Sequence, residues 1–144
     1  MKPITIQADE YVTRGKKKKQ TTHEVVVTTL GPIKEAVQAL DGECHTMVSF
    51  FPEERSANLC VSGGNGGRYF VTVTEGINDA FHTLLDPHLK PGTNADEELL
   101  LVTGGQEVTK SRSETVDLKT ALKAAVHWAK CYEMLPSLRW RRDG

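Results

Sequence analysis

The residues best placed to do chemistry in this chain are four glycines and an arginine. The stretch "VSGGNGGRYFVTV", 61–73, puts Gly63, Gly64, Gly66 and Gly67 in five positions, with Arg68 next. Such a run can cradle a phosphate, because bare backbone N–H groups and the start of a following helix supply positive potential. A dinucleotide loop needs GxGxxG between a strand and a helix, and a P-loop needs GK[ST] at its end. Here "RYFVTVTE" follows, which alternates with period two and reads as a strand. No helix start faces an anion. The glycines are therefore expected to form a turn or bulge between two strands, not a nucleotide site.

The remaining candidates fare no better. "HTLLDPH", 82–88, could bring His82, Asp86 and His88 to one metal, but the spacing fits no ligand motif. Cys44 and His45 are neighbours, and neighbours on a strand point to opposite faces, so they make a poor nucleophile–base pair. His127 falls beside the apolar stripe of a helix and reads as a packing or surface residue. G-x-S-x-G, HExxH and paired-carboxylate motifs are missing. No catalytic residue, metal or cofactor is expected, and the chain reads as a non-enzyme.

The elements that must position these residues come from periodicity. Strands are expected at 4–13, 23–30, 45–53, 58–62, 68–75, 98–105 and 106–116, with a short closing strand around Leu138 and Trp140. Lys16 to Lys19 are expected at a solvated hairpin tip between the first two strands. A first helix spans 28–43, with Ile33, Val37 and Leu40 on one face, Pro32 in its first turn and Gly42 ending it. A second spans 117–135, with Asp117 as N-cap and an apolar stripe of Leu118, Leu122, Ala125, Val126 and Ala129. Gly104-Gly105 suits a two-residue hairpin turn. The segment 76–98 fits either a short strand or a helical turn. The order is ββαβββ, an insert, then ββαβ: an α+β fold with a single antiparallel sheet packed against two helices.

The totals agree with one small domain over 1–144. The chain has 144 residues, 38% of them hydrophobic and 26% charged, with a net charge of -1. No apolar run approaches the ~20 residues that span a bilayer, and "MKPITIQADEY" alternates unlike a secretory leader. Cys44, Cys60 and Cys131 are odd in number and widely spaced, which suits reduced thiols in the cytoplasm. Charge is uneven along the chain. Glu75, Asp79, Asp86, Asp96, Glu97 and Glu98 crowd one segment against Lys90 alone. Such an acidic, turn-rich insert suits docking on a basic protein surface with electrostatic steering. Lys16 to Lys19 and Arg139, Arg141 and Arg142 are the basic counterparts.

The C-terminal third, "VDLKTALKAAVHWAKCYEMLPSLRW", 116–140, resembles the ending of the Imm1 family of bacterial polymorphic-toxin immunity proteins. The shared features are an amphipathic helix at 117–134, Pro136 and a near-terminal Trp140. "GGQEV", 104–108, is similar to that family's glycine-then-acid stretch, and "ANLCVSGGNGGRYFVTV" to its central strand pair. Arg141 departs from the acid expected after the tryptophan, and 76–98 aligns with nothing in the family. The resemblance implies a non-enzymatic partner that binds a cognate toxin domain one to one, often a nuclease or deaminase, and neutralises it in the cytoplasm of the producing cell. It implies that acids such as Glu75, Asp96, Glu97 and Glu98 mimic phosphate in the toxin's basic cleft. Two other classes stay open: a small nucleic-acid-binding module built on Lys16 to Lys19 and the C-terminal arginines, and an enzyme whose site is assembled from distant residues. Trp140 is expected to close the sheet edge against the long helix.

Overall fold

The computed structural model describes residues 1–53, 56–76 and 81–143. Their order is β1 (Ile4–Arg14), β2 (Lys17–Val27), α1 (Leu30–Gln38), β3 (Met47–Pro52), β4 (Asn58–Gly63), β5 (Tyr69–Thr74), β6 (Phe81–Leu84), β7 (Glu98–Thr103), β8 (Gln106–Ser111), α2 (Leu118–Cys131) and β9 (Trp140–Asp143). Short 3-10 turns occupy Asn65–Gly67 and Arg112–Glu114. The fold class is α+β: a large antiparallel sheet with two helices on one face. Among the described residues no helix is long and apolar enough to cross a membrane.

Seven strands form the main sheet in the order β2-β1-β3-β4-β5-β6-β9, each neighbouring pair antiparallel. Alternation sends Ile4, Ile6, Val48, Phe50, Leu59, Val61, Val71, Val73 and Leu84 to the helix-covered face, where all are buried. The opposite face carries a row of small polar residues, Gln7–Ser49–Cys60–Thr72–Thr83, each opposite the next across the strands. The expected single sheet is refined at β7 and β8. Among the described residues they pair only with each other, through the Gly104-Gly105 turn, whose φ values are 61° and 79°.

Two element boundaries correct the sequence reading, and a third element decides between its alternatives. The lysine block is not a hairpin tip: Lys17, Lys18 and Lys19 lie inside β2, and Gly15-Lys16 makes the turn, with Gly15 at φ 63°. One glycine able to adopt a left-handed backbone suffices for a two-residue hairpin, so the turn sits earlier than the charges suggest. Helix α1 ends at Gln38, before Gly42. Gly42 serves the next turn, where the Asp41 Oδ1 accepts from the N–H groups of Glu43, Cys44 and His45 at 2.9–3.0 Å. The insert contains a strand, β6, where helix and strand had both been open.

Helix α2 is capped as expected, with the Asp117 Oδ1 accepting from the Thr120 N–H at 2.8 Å. Its buried face is rotated from the expected stripe. Ala121, Ala124, Ala125, Trp128 and Ala129 are buried in the core, Leu118 and Leu122 pack against it only partly buried, and Val126 is half-buried. The alanines let the helix lie close to the sheet, and Trp128 fills the centre, its indole N–H donating to the Phe50 carbonyl at 3.1 Å. Trp140 is partly buried against the same core, opposite Leu84, and its N–H donates to the Leu135 carbonyl at 3.1 Å. It closes the sheet edge as expected.

Candidate functional site

The glycine loop is structural. Gly63, Gly64, Gly66 and Gly67 all have positive φ, from 66° to 96°. No other residue adopts such a run without strain. The loop tucks under the end of α1: a Cβ on Gly64 would lie 2.5 Å from the Leu40 carbonyl oxygen. Its tip presents Asn65 to the edge of β7. The Asn65 amide donates to the Leu100 carbonyl at 2.7 Å and accepts from the Val102 N–H at 3.2 Å. A side chain thus occupies the place of a neighbouring strand.

Arg68, just after the loop, faces inward. Its Nη2 donates to Asp86 Oδ2 at 2.9 Å and to the Thr115 and Arg112 carbonyls at 2.7 and 3.3 Å, and Nε donates to Thr115 Oγ1 at 3.0 Å. This corrects the reading of Asp86 as a surface contact. Its side chain is 8% exposed and neutralised by Arg68. A buried carboxylate must be paired, and this one is already engaged. Beside the pair is a polar cleft of about 270 Å³ lined by Arg68, Asp86, His88, Lys90, Arg112 and Asp117. Burial acts to raise the Asp117 carboxyl, but hydrogen bonds from Thr120, with His88 and Arg68 nearby, hold it below the ordinary range.

The other candidate acids separate into groups. Asp96, Glu97 and Glu98 are exposed and consecutive at the entry to β7. Their backbone is pinned to the 112–113 turn: the Arg112 N–H donates to the Glu97 carbonyl at 2.8 Å and the Ser113 N–H to the Ala95 carbonyl at 3.1 Å. Arg112 Nη1 stands 3.5 Å from Glu97 Oε2, a loose exposed pair. Glu75 is exposed too, but it follows β5 at the end away from Arg68. The Arg68 side chain reaches the Arg112 carbonyl beside the 96–98 run, whereas the length of β5, roughly 20 Å, separates Glu75 from Arg68. Asp79 lies outside the described residues.

Sequence reasoning missed a second buried acid, Asp9. Its Oδ1 accepts from the Thr46 and Met47 N–H groups at 2.8 and 2.9 Å, and its Oδ2 from the Thr46 hydroxyl. Thr46 Oγ1 in turn accepts from the Gly105 N–H at 3.0 Å. This relay ties the tip of the β7–β8 hairpin to β1. Alternation placed Asp9 on a strand face, but no local signal marked that face as covered there. The hairpin lies across it, with Gly104 near Met47, Leu101 against Gly63 and the Lys110 ammonium 4.2 Å from the Phe70 ring centroid.

The basic clusters occupy opposite edges of the main sheet, Lys17 to Lys19 on β2 and Arg141 and Arg142 on β9. Six interstrand spacings, roughly 29 Å, separate them. Arg141 is also committed, to Glu114 and Asp143 at 2.8 Å each. Cys44 and Cys131 are exposed, whereas burial pushes the Cys60 thiol up to about 11. The Nε2 of His127 is buried without a hydrogen-bond partner among the described residues. Among the described residues, no three His, Cys, Asp or Glu side chains gather as a metal site. A second concavity, an apolar groove of about 660 Å³, runs along Leu118, Leu122 and Val126 with Lys34, Lys119 and Lys123 at its rim. Compared with known proteins, the chain matches no family model, no curated protein and no solved structure.

Proposed function

We propose that this chain is a non-enzymatic binding protein that docks one to one on a basic protein surface. In keeping with its resemblance to Imm1-type immunity proteins, we take the partner to be a nucleic-acid-acting toxin domain, neutralised in the cytoplasm of the cell that makes it. One observation carries this reading: three consecutive exposed carboxylates, Asp96, Glu97 and Glu98, on a backbone already held by hydrogen bonds to the 112–113 turn. A pre-ordered acidic ridge loses little conformational freedom on binding and steers a cationic partner at long range. A nucleic-acid module gains no comparable support, because the two basic clusters lie at opposite edges of the sheet.

The test begins with the neighbouring gene, which on this reading should encode a protein with a toxin-like domain. Co-expression with the chain should restore growth, and the purified pair should form a one-to-one complex. The triple variant Asp96→Lys, Glu97→Lys, Glu98→Lys should slow association at low salt about tenfold or more and flatten its salt dependence. Growth that is not restored removes the immunity reading. Unchanged association by the triple variant removes the acidic ridge as the docking surface.

A further inference from the structure

The longest strand at the margin of this fold is also its least protected. Strand β2 runs eleven residues, Lys17–Val27, and only Val27 is even half-buried. Among the described residues it pairs with β1 on one side and with nothing on the other. Because Gly15-Lys16 is a two-residue turn, Arg14 and Lys17 form the first hydrogen-bonded pair, and odd-numbered residues of β2 face β1. Strand β1 agrees with this: its even-numbered residues face β2, and the N–H of odd-numbered Tyr11 points away from β2 to the Cys44 carbonyl at 2.7 Å. The backbone N–H and C=O groups of Lys18, Gln20, Thr22, Glu24 and Val26 therefore line the outer edge in one row. Val25 and Val26 flank that row, 54% and 62% exposed on its two faces. A row of unpaired backbone groups is a template for another strand.

We propose that β2 pairs antiparallel with β2 of a second copy of this chain, joining two sheets into one across a twofold axis. The argument for this occupant is charge complementarity. With the axis through Thr21, Lys18 falls opposite Glu24 in both halves and Gln20 opposite Thr22. All four are residues whose backbone groups face outward, so the hydrogen-bonding parity and the ion pairs agree. Lys17 then faces Val25, and Lys19 faces His23, whose Nε2 already sits 2.9 Å from Glu10 Oε2. No two lysines meet. Edge lysines ordinarily repel an incoming strand; here the same strand carries the carboxylate that receives one of them. The contact is isologous and closes at two copies, because β9, the other edge, is only four residues long and cannot continue the ladder.

Sedimentation of the full chain over a range of concentrations at low salt tests this. The expected species has twice the 15.9 kDa chain mass and dissociates as salt is added. Lys18→Glu and Glu24→Lys each oppose two like charges in both halves, so each should sediment as a single chain. The double variant exchanges the partners and should restore the dimer. Thr22→Pro removes an outward N–H without touching the β1 ladder and should also leave single chains. Circular dichroism confirms that each variant is folded. A wild-type chain that stays single at every concentration overturns the proposal, including the case in which an unrelated strand uses this edge. A dimer indifferent to the single reversals, or not restored by the double one, overturns it too.

Discussion

Two hairpins in this protein begin from the same local recipe and end differently. β1–β2 turns at Gly15-Lys16 and β7–β8 at Gly104-Gly105, each a two-residue turn with glycine supplying positive φ. The second is tied at both ends and in the middle: Thr46 holds its tip, Asn65 takes the place of a strand beside β7, and Arg112 and Ser113 anchor its exit to 95–97. The outer edge of β2 has no such attachment among the described residues. The difference teaches that exposure of a hairpin is decided by distant side chains, not by the hairpin. Asn65 lies 35 residues from Leu100 in sequence, and Asp9 37 from Thr46.

That contrast can be broken most severely at the glycine loop. Gly64→Val forces a Cβ to within 2.5 Å of the Leu40 carbonyl oxygen at φ 96° and displaces Asn65 with it. Stability to urea should fall by about 3 kcal/mol or more. Gly66→Ala, at φ 66° with open space around it, should cost only about 1 kcal/mol of backbone strain. Similar losses at both glycines would mean that the loop's packing against α1 matters little. Asn65→Ala comes next. It strips two hydrogen bonds from β7, should cost roughly 1–3 kcal/mol and should speed amide exchange along 98–103. Gln20→Ala on the free edge should stay within about 0.5 kcal/mol for the isolated chain. If Asn65→Ala leaves β7 exchange unchanged, the asymmetry between the hairpins has another origin.

Another small effect, this one dependent on pH, concerns the exit of β8, where Glu114 reaches Arg141 on β9. Hydrogen bonds from Arg141 hold the carboxyls of both Glu114 and Asp143 below their ordinary values, with Ser111 and Thr83 adding to each. A depressed folded pKa stabilises above the unfolded value and is lost as pH falls through the folded one. Stability should therefore decline as pH drops below about 4.5, and Arg141→Gln should reduce that slope. The gap between variant and wild type should be widest near neutrality and close in acid. Because these groups are partly exposed, the gap should remain within about 1 kcal/mol. Parallel pH profiles would detach Glu114 and Asp143 from Arg141.

What could be read from the sequence was periodic or local. Period two located eight of the nine strands among the described residues, and Ile33 and Val37 gave the buried face of α1, with Leu40 buried just past its end, because helical spacing is a local property. Asp117 and the Gly104-Gly105 turn were legible for the same reason. The α2 face was misjudged by spacing that weighed leucine above alanine, while close approach to a sheet favours the smaller side chain and leaves room for Trp128. The acid-rich segment was visible as composition, but its division was not. Asp86 is turned inward by Arg68, 18 residues earlier, and nothing near either residue announces the pair. Likewise, the strand that holds the lysines gives no sign of which side is covered.

The order of strands in the main sheet also carries a sense of time. β1–β2 and β4–β5 join neighbours along the chain, whereas β6–β9 joins residues as far apart as Phe81 and Asp143, 62 positions. Closing a longer loop costs more entropy, and β9 repays it with only four residues. The last event in folding is therefore expected to be the laying of Trp140 over Leu84, so that a chain stalled just short of the native state would differ from it by one exposed tryptophan and one missing strand.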